Sequence, residues 1–134
     1  TTIKFFFYMN DVKITNGPFG YIPYSHHIIK ALASLILEKK IKYESWWKFE
    51  DVRKQVSKNP TKELIANKIG IEKLNIFLNN SKFIEEESKE TFQFDIKMNE
   101  GGVIIFDDCG FHRGLMPIKG NRVVLRYLYK KTKQ

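Results

Sequence analysis

Cysteine is nearly absent from this sequence, since Cys109 is the single cysteine in 134 residues. One thiol excludes both a disulfide framework and a cysteine-based zinc site, and it is typical of a reducing compartment. We therefore expect a cytoplasmic protein. Long apolar runs are absent too: the longest, Ile3 to Met9 and Ala31 to Leu37, fall well short of the roughly 18 residues that cross a bilayer. The sequence predicts no membrane partner.

Arginine is also scarce. The formal charge is +8, from 23 basic against 15 acidic residues, but only four of the basic residues are arginines. Proteins that bind nucleic acids concentrate arginine and aromatic residues in a stripe, whereas scattered lysine is typical of a solvated surface. We predict no nucleic-acid partner and expect an acidic small molecule to suit this charge. A lysine-rich nucleic-acid module is the alternative, and its binding would weaken steeply with salt.

The two ends of the chain have β-like patterns. Ile3 to Met9 is predicted to be a strand buried on both faces, and Phe19 to Pro23 is predicted to pair with it as an antiparallel neighbour. Phe92 to Met98 alternates as a half-buried strand, Val103 to Phe106 reads as a buried strand, and Arg122 to Tyr129 as a final strand. With 43% hydrophobic residues, the length suits one domain, spanning residues 1–134.

The middle of the chain has helical periodicity. Apolar residues between Ile28 and Ile36 fall on one helical face, a second helix follows Asn59-Pro60 and ends at Gly70, and a third begins at Ile71 and ends near Asn79-Asn80. The sequence thus predicts a mainly β (α+β) fold, a sandwich or barrel with a helical insert at residues 28–88.

Two side chains near the C-terminus can carry chemistry. His112 follows a buried strand and lies between Gly110 and Gly114. After a turn, Arg122 opens the next strand, on whose face Arg126 also lies. An imidazole near a guanidinium indicates a site for an anion that also contacts a metal, because arginine binds carboxylates through two parallel hydrogen bonds.

Two stretches of the sequence form a recognisable pattern. The first runs from Tyr8-Met9-Asn10-Asp11-Val12 through Asn16-Gly17-Pro18-Phe19 to Ile22-Pro23-Tyr24-Ser25-His26. The second runs from Gly101-Gly102-Val103-Ile104-Ile105-Phe106 through His112-Arg113-Gly114 to Arg122. Both resemble the phytanoyl-CoA dioxygenase-like (PhyH) family of Fe(II)/2-oxoglutarate oxygenases. They occur in the family's order, with a helical insert between them, and together they cover the whole chain.

The resemblance implies a double-stranded β-helix (a jelly-roll or cupin-like fold) that uses Fe(II), 2-oxoglutarate and O2 to oxidise a small organic substrate, with decarboxylation of 2-oxoglutarate to succinate. In it, His112 is the distal iron ligand and catalytic residue. Arg122 clamps the far carboxylate of 2-oxoglutarate, with Arg126 as the alternative clamp. The family's other two ligands lie in a His-x-Asp motif before the first strand, and this sequence contains no such motif. We therefore expect a fold that is incomplete at its N-terminus and a chain that is a fragment of the catalytic core.

Other interpretations stay open. His112 can be a hydrogen-bonded loop histidine, and Arg122 can be a surface residue paired with Asp107 or Asp108. His26 and His27 invite a metal interpretation, although the resembling motif gives His26 a structural role. The alternative function is a non-catalytic β-helix domain that binds a small carboxylate or a protein partner. Neither the primary substrate nor the oligomeric state can be read from this sequence.

Overall fold

The computed structural model describes residues 2–44, 48–84 and 92–131, and the chain forms two compact units. One comprises Thr1–Tyr21 with Thr91–Gln134, and the other comprises Ile22–Glu90. The strands are β1 (Thr2–Tyr8), β2 (Phe19–Tyr21), β3 (Asp95–Ile96), β4 (Val103–Asp107), β5 (His112–Gly114) and β6 (Val124–Lys130). The helices are α1 (Ser25–Leu37), α2 (Phe49–Ser57), α3 (Thr61–Ile69) and α4 (Ile71–Asn80). The predicted α+β class is confirmed at this level.

The strand unit contains two antiparallel sheets of three strands each. Their strand orders are β4-β1-β6 and β3-β2-β5. The predicted pairing of β2 with β1 is wrong, because β2 pairs with β3 and β5 in the other sheet. The segment from Met9 to Pro18 does not fold as a tight hairpin: Val12 forms an isolated bridge with Met98, and Ile14–Asn16 is a 3-10 turn. The chain therefore crosses from one sheet to the other between β1 and β2.

The core of the strand unit lies between the two sheets and is largely aromatic. The Phe19 ring of β2 lies 5.3 Å from the Phe6 ring of β1 and 4.5 Å from the Phe106 ring of β4, measured between centroids. Tyr21 lies 5.8 Å from Phe106. These contacts join the sheets face to face, and edge-to-face pairs of this kind add to the free energy that burial itself contributes.

The other face of the β4-β1-β6 sheet is exposed and apolar. Phe7, Ile105, Leu125 and Tyr127 share this face through their register, and Ile105 and Leu125 are 62% and 63% exposed. The prediction that β1 is buried on both faces is therefore wrong, and the predicted buried strand β4 is buried on one face only. Their alternate residues, such as Phe106, pack into the core, whereas the described residues leave the opposite face in contact with solvent.

The helical unit has its own core. Its fully or nearly buried apolar side chains come from all four helices: Ile28, Ala31, Leu32, Leu35, Val52, Val56, Ile65, Leu74 and Phe77. The buried guanidinium of Arg53 donates to the Leu78 carbonyl and the Ser81 hydroxyl at the end of α4, at 2.6 and 2.7 Å. It thereby satisfies a terminal carbonyl that the helix leaves without a backbone partner.

The boundaries of α3 and α4 agree with the sequence prediction, whereas α2 was not predicted. Among the described residues, no helix combines the length and the apolar character that crossing a membrane requires.

The Asn16-Gly17 turn supports the connection between β5 and β6. Thr15 accepts hydrogen bonds from the backbone of Ile118 and Lys119, at 2.8 and 3.0 Å. Gly17 has a φ of 73°, and a Cβ there would lie 2.7 Å from the Pro117 nitrogen. The turn therefore needs glycine for two reasons: the left-handed backbone conformation and the close approach of the connection.

We predict that Gly17→Ala lowers the free energy of unfolding by about 3 kcal/mol or more, since strain and a backbone collision add together. Gly101→Ala is the matched control. Gly101 also has a positive φ, of 79°, but an added Cβ would meet nothing within 4 Å. Its cost should stay at about 1 kcal/mol. Urea denaturation of both variants checks this, and equal losses would contradict the packing argument.

Candidate functional site

His112 lies at the start of β5, at the border of the aromatic core. Its ring centroid lies 5.3 Å from that of Phe106 and 5.8 Å from that of Phe19. The backbone of His112 pairs with Tyr21 of the neighbouring strand β2, which fixes the position of His112 in the sheet. The side chain is 29% exposed. The imidazole is thus held by rigid neighbours and still open to solvent, as a ligand-binding side chain must be.

A backbone hydrogen bond selects one form of the imidazole. The Nδ1 atom of His112 lies 2.8 Å from the Gly110 carbonyl oxygen. Because a carbonyl oxygen only accepts, we assign the proton to Nδ1, and in the neutral ring Nε2 then keeps its lone pair. This arrangement orients metal-binding histidines in general. His112 can therefore present Nε2 as a ligand.

The two aspartates before His112 have different roles. Asp107 accepts a hydrogen bond from the Cys109 backbone N–H at 3.0 Å. The Asp108 carboxylate instead forms an ion pair with Lys4 of β1. The Asp108 Oδ1 atom also lies 3.7 Å from His112 Nε2. A carboxylate therefore stands beside the open nitrogen of the imidazole.

Arg122 lies just before β6 and reaches back to the end of β5. One of its terminal nitrogens donates to the Leu115 carbonyl at 3.2 Å. A Cβ at Gly114 would lie 3.3 Å from the other terminal nitrogen, so glycine there lets the guanidinium approach the backbone of β5. Within the described ranges Arg122 has no acidic partner, and pairing with Asp107 or Asp108 is excluded.

Two asparagine side chains hold the segment around Arg122. Asn10 donates to the Asn121 carbonyl at 3.1 Å and accepts from the Val123 N–H at 2.7 Å. Asn16 donates to the same Asn121 carbonyl at 3.3 Å. The residues on both sides of Arg122 are thus fixed by side chains from the first stretch of the resembling pattern.

Arg126 has a different environment. It lies within β6, opposite Phe6 in register, and it is exposed. In the part of the chain that the structure describes, its side chain makes no hydrogen bond or ion pair. Of the two candidate clamps, Arg122 is the one that contacts the end of β5, the strand that His112 begins.

An ion pair between the residue after His112 and a buried carboxylate was missed by sequence reasoning. Arg113 of β5 donates to both carboxylate oxygens of Asp95 of β3, at 3.1 and 2.9 Å. Gly20 of β2 is in register with both residues, and a Cβ there would lie 2.8 Å from Asp95 Oδ1. The Asp95 side chain is 1% exposed, although the alternation predicted an outward residue. Two side chains that meet across a glycine of the intervening strand leave no signal in local periodicity.

A buried hydroxyl was missed as well. Tyr8 of β1 is 1% exposed, and among the described residues its hydroxyl oxygen has no hydrogen-bond partner. Burial raises the pKa of the Tyr8 phenol, while the positive charge of Arg122 acts in the opposite direction. Strand periodicity correctly indicated a buried residue here but says nothing about an unpartnered polar atom.

The remaining histidines lie in the first turn of α1. The ring centroids of His26 and His27 are 4.2 Å apart. Over residues 2–44, 48–84 and 92–131, no group of three or more histidine, cysteine or acidic side chains could hold a metal ion. The described residues therefore do not form a complete metal site at either end of the chain.

We predict that Arg113→Ala lowers the free energy of unfolding by about 2 to 3 kcal/mol, because the Asp95 carboxylate stays buried without its partner. Arg126→Ala, at an exposed position of the neighbouring sheet, should cost no more than about 0.5 kcal/mol. The double variant Asp95→Asn/Arg113→Ala should recover part of the loss. Chemical denaturation checks all three, and identical stabilities for the two arginine variants would contradict the assignment.

The geometry thus provides an oriented imidazole with a neighbouring carboxylate at the start of β5 and, just past the end of the same strand, an arginine that has no acidic partner among the described residues. Comparison with protein-family models, with curated proteins and with solved structures gives no match to this chain.

Proposed function

We propose that this chain is part of the catalytic core of an Fe(II)/2-oxoglutarate-dependent dioxygenase that oxidises a small organic substrate while 2-oxoglutarate is decarboxylated to succinate. One observation carries the proposal. The Gly110 carbonyl fixes His112 in the form that leaves Nε2 open, and Arg122, which has no acidic partner among the described residues, bonds to the end of the same strand. An imidazole ligand and a carboxylate clamp on neighbouring segments suit a cosubstrate that contacts a metal and carries a second carboxylate.

His112 would contribute one ligand of the iron site. Asp108 is the nearest carboxylate, but its ion pair with Lys4 already neutralises it. The described residues supply at most this one histidine and one carboxylate, so the proposal requires the His-x-Asp part of the site from outside this sequence. When bound, the iron, 2-oxoglutarate and O2 together supply the oxidising chemistry. The protein's own task is to hold Nε2 in place, which the ring contacts with Phe19 and Phe106 accomplish.

Arg122 would bind the distal carboxylate of 2-oxoglutarate. Its bond to the Leu115 carbonyl uses one of five N–H groups, and the asparagine contacts fix the backbone on both sides of it. A guanidinium that is anchored in this way loses little conformational freedom when it binds an anion. Arg126 is the less suitable clamp because it is exposed and lies further along β6.

The strand order supports a double-stranded β-helix. A jelly roll wraps a long antiparallel ribbon, so that one sheet holds the first, eighth, third and sixth strands and the other holds the second, seventh, fourth and fifth. If β1 corresponds to the third strand, the observed orders β6-β1-β4 and β5-β2-β3 follow this scheme, with the helical unit between the fourth and fifth strands. His112 and Arg122 then belong to the seventh strand and to the entrance of the eighth.

The cytoplasmic location and the small-molecule partner are parts of this proposal. The single cysteine supports the first, and the Arg122 guanidinium, which has no acidic partner in the described part of the chain, supports the second. The alternative, a non-catalytic domain that binds a carboxylate, uses the same Arg122 but needs no metal. The two hypotheses differ in the role they give to His112, and the experiments below separate them.

We predict that Arg122→Ala in the complete protein weakens 2-oxoglutarate binding by about 2 to 5 kcal/mol, because the carboxylate loses its charged partner. Isothermal titration calorimetry measures this. Arg126→Ala is the matched control, and its affinity should stay close to that of the wild type. An unchanged affinity for Arg122→Ala would eliminate Arg122 as the clamp. A loss of affinity in Arg126→Ala alone would identify Arg126 as the clamp.

We predict that His112→Ala abolishes iron-dependent succinate release by the complete protein and leaves its circular dichroism spectrum unchanged. The reason is that a ligand at a metal site cannot be replaced by a methyl group, whereas a ring at the border of the core, 29% exposed, contributes little to stability. His26→Ala serves as the control and should keep full activity. If succinate release survives in His112→Ala, His112 is not an iron ligand. A wild-type protein that binds 2-oxoglutarate but releases no succinate would favour the non-catalytic alternative.

A further inference from the structure

The interior of the strand unit contains a polar atom that the proposed function does not yet use. The Tyr8 hydroxyl is fully buried and, within the described residues, has no hydrogen-bond partner. Buried tyrosines nearly always place their hydroxyl against an acceptor. Tyr8 belongs to the same core cluster as Phe19 and Phe106, the two rings that contact His112. The unpartnered hydroxyl therefore belongs to a residue of the core that contacts His112.

Backbone pairing brings Tyr8 close to Arg122. Tyr8 is opposite Val124 in register, and the Met9 N–H donates to the Val123 carbonyl at 2.9 Å. The Arg122 charge also acts on the phenol, where it lowers the pKa against the effect of burial. The Arg122 side chain donates one N–H to the Leu115 carbonyl, and in the described part of the chain it makes no other hydrogen bond or ion pair.

The two groups together define the chemistry of a ligand. A phenol donates one proton, and a guanidinium offers several N–H groups and a positive charge, so an acceptor-only anion satisfies both. A carboxylate has two oxygens and can accept from both donors at once. A cation or an amine would leave the hydroxyl without an acceptor and would be repelled by Arg122.

We infer that Tyr8 is a binding residue, whose hydroxyl donates to the carboxylate that Arg122 neutralises. This inference rests on the proposed function, in which that carboxylate is the distal one of 2-oxoglutarate, and it adds a second donor from β1. Without the ligand, the buried hydroxyl has no acceptor among the described residues and lowers the stability of the fold. The bound carboxylate supplies that acceptor. The site selects an ionised carboxylate over a neutral group of the same shape.

The test titrates 2-oxoglutarate into the complete protein and into two matched variants. Tyr8→Phe removes only the buried hydroxyl, and Tyr127→Phe removes an equivalent hydroxyl from the exposed face of the same sheet. We expect about a tenfold loss of affinity for Tyr8→Phe, the size of one hydrogen bond to a charged group, and no change for Tyr127→Phe. The urea midpoint of Tyr8→Phe should not fall, which excludes loss of structure as the cause.

An ultraviolet difference spectrum supplies a readout that a structural role would not change. Binding of 2-oxoglutarate should shift tyrosine absorption in the wild type and in Tyr127→Phe but not in Tyr8→Phe. Equal affinities of Tyr8→Phe and the wild type would overturn the inference while leaving the Arg122 clamp intact, and so would the absence of binding by the wild type. Binding that depends on Tyr8 without iron-dependent succinate release would uphold the inference and reject the proposed oxygenase.

Discussion

The position of the candidate site depends on one ion pair, which Asp95 and Arg113 form across Gly20 of the strand between them. A carboxylate that is almost completely buried requires a partner, and the partner is reached across β2 only because Gly20 has no side chain. The ion pair fixes β5 against β2 at the residue that follows His112. The imidazole is therefore held against Phe19 and Phe106 by a bond that lies outside the site itself.

A second set of polar contacts sets the position of Arg122. Asn10 and Asn16 both bond to the Asn121 carbonyl, and Gly17 allows the connection between β5 and β6 to pack closely on the turn. Asn10, Asn16 and Gly17 belong to the first of the two stretches that resemble the oxygenase family. In this structure they support the backbone on both sides of Arg122. The fold thus uses its turn residues to place an arginine, and the chemistry that we propose follows from where that arginine lies.

Local patterns in the sequence were sufficient for much of the fold. Helices α3 and α4 and strands β1, β4 and β6 were recognised because their periodicity and end signals lie within a few residues of each other. The pairing of β2 was not recognised, because a short strand that follows a turn is expected to form a hairpin with the strand before it. The inward direction of Asp95 was also missed, because its reason is Arg113, which lies 18 residues away in the chain.

The sequence by itself determined most of the elements, the α+β class and the kinds of side chain available for chemistry, because each of these depends on neighbours along the chain. The tertiary structure alone decided the sheet orders, which face of β1 is buried, and the approach of Tyr8 to Arg122. Those features depend on contacts between residues about a hundred positions apart, such as Asn10 and Asn121. Local periodicity carries no information on such contacts, since they follow from the joint packing of the whole unit.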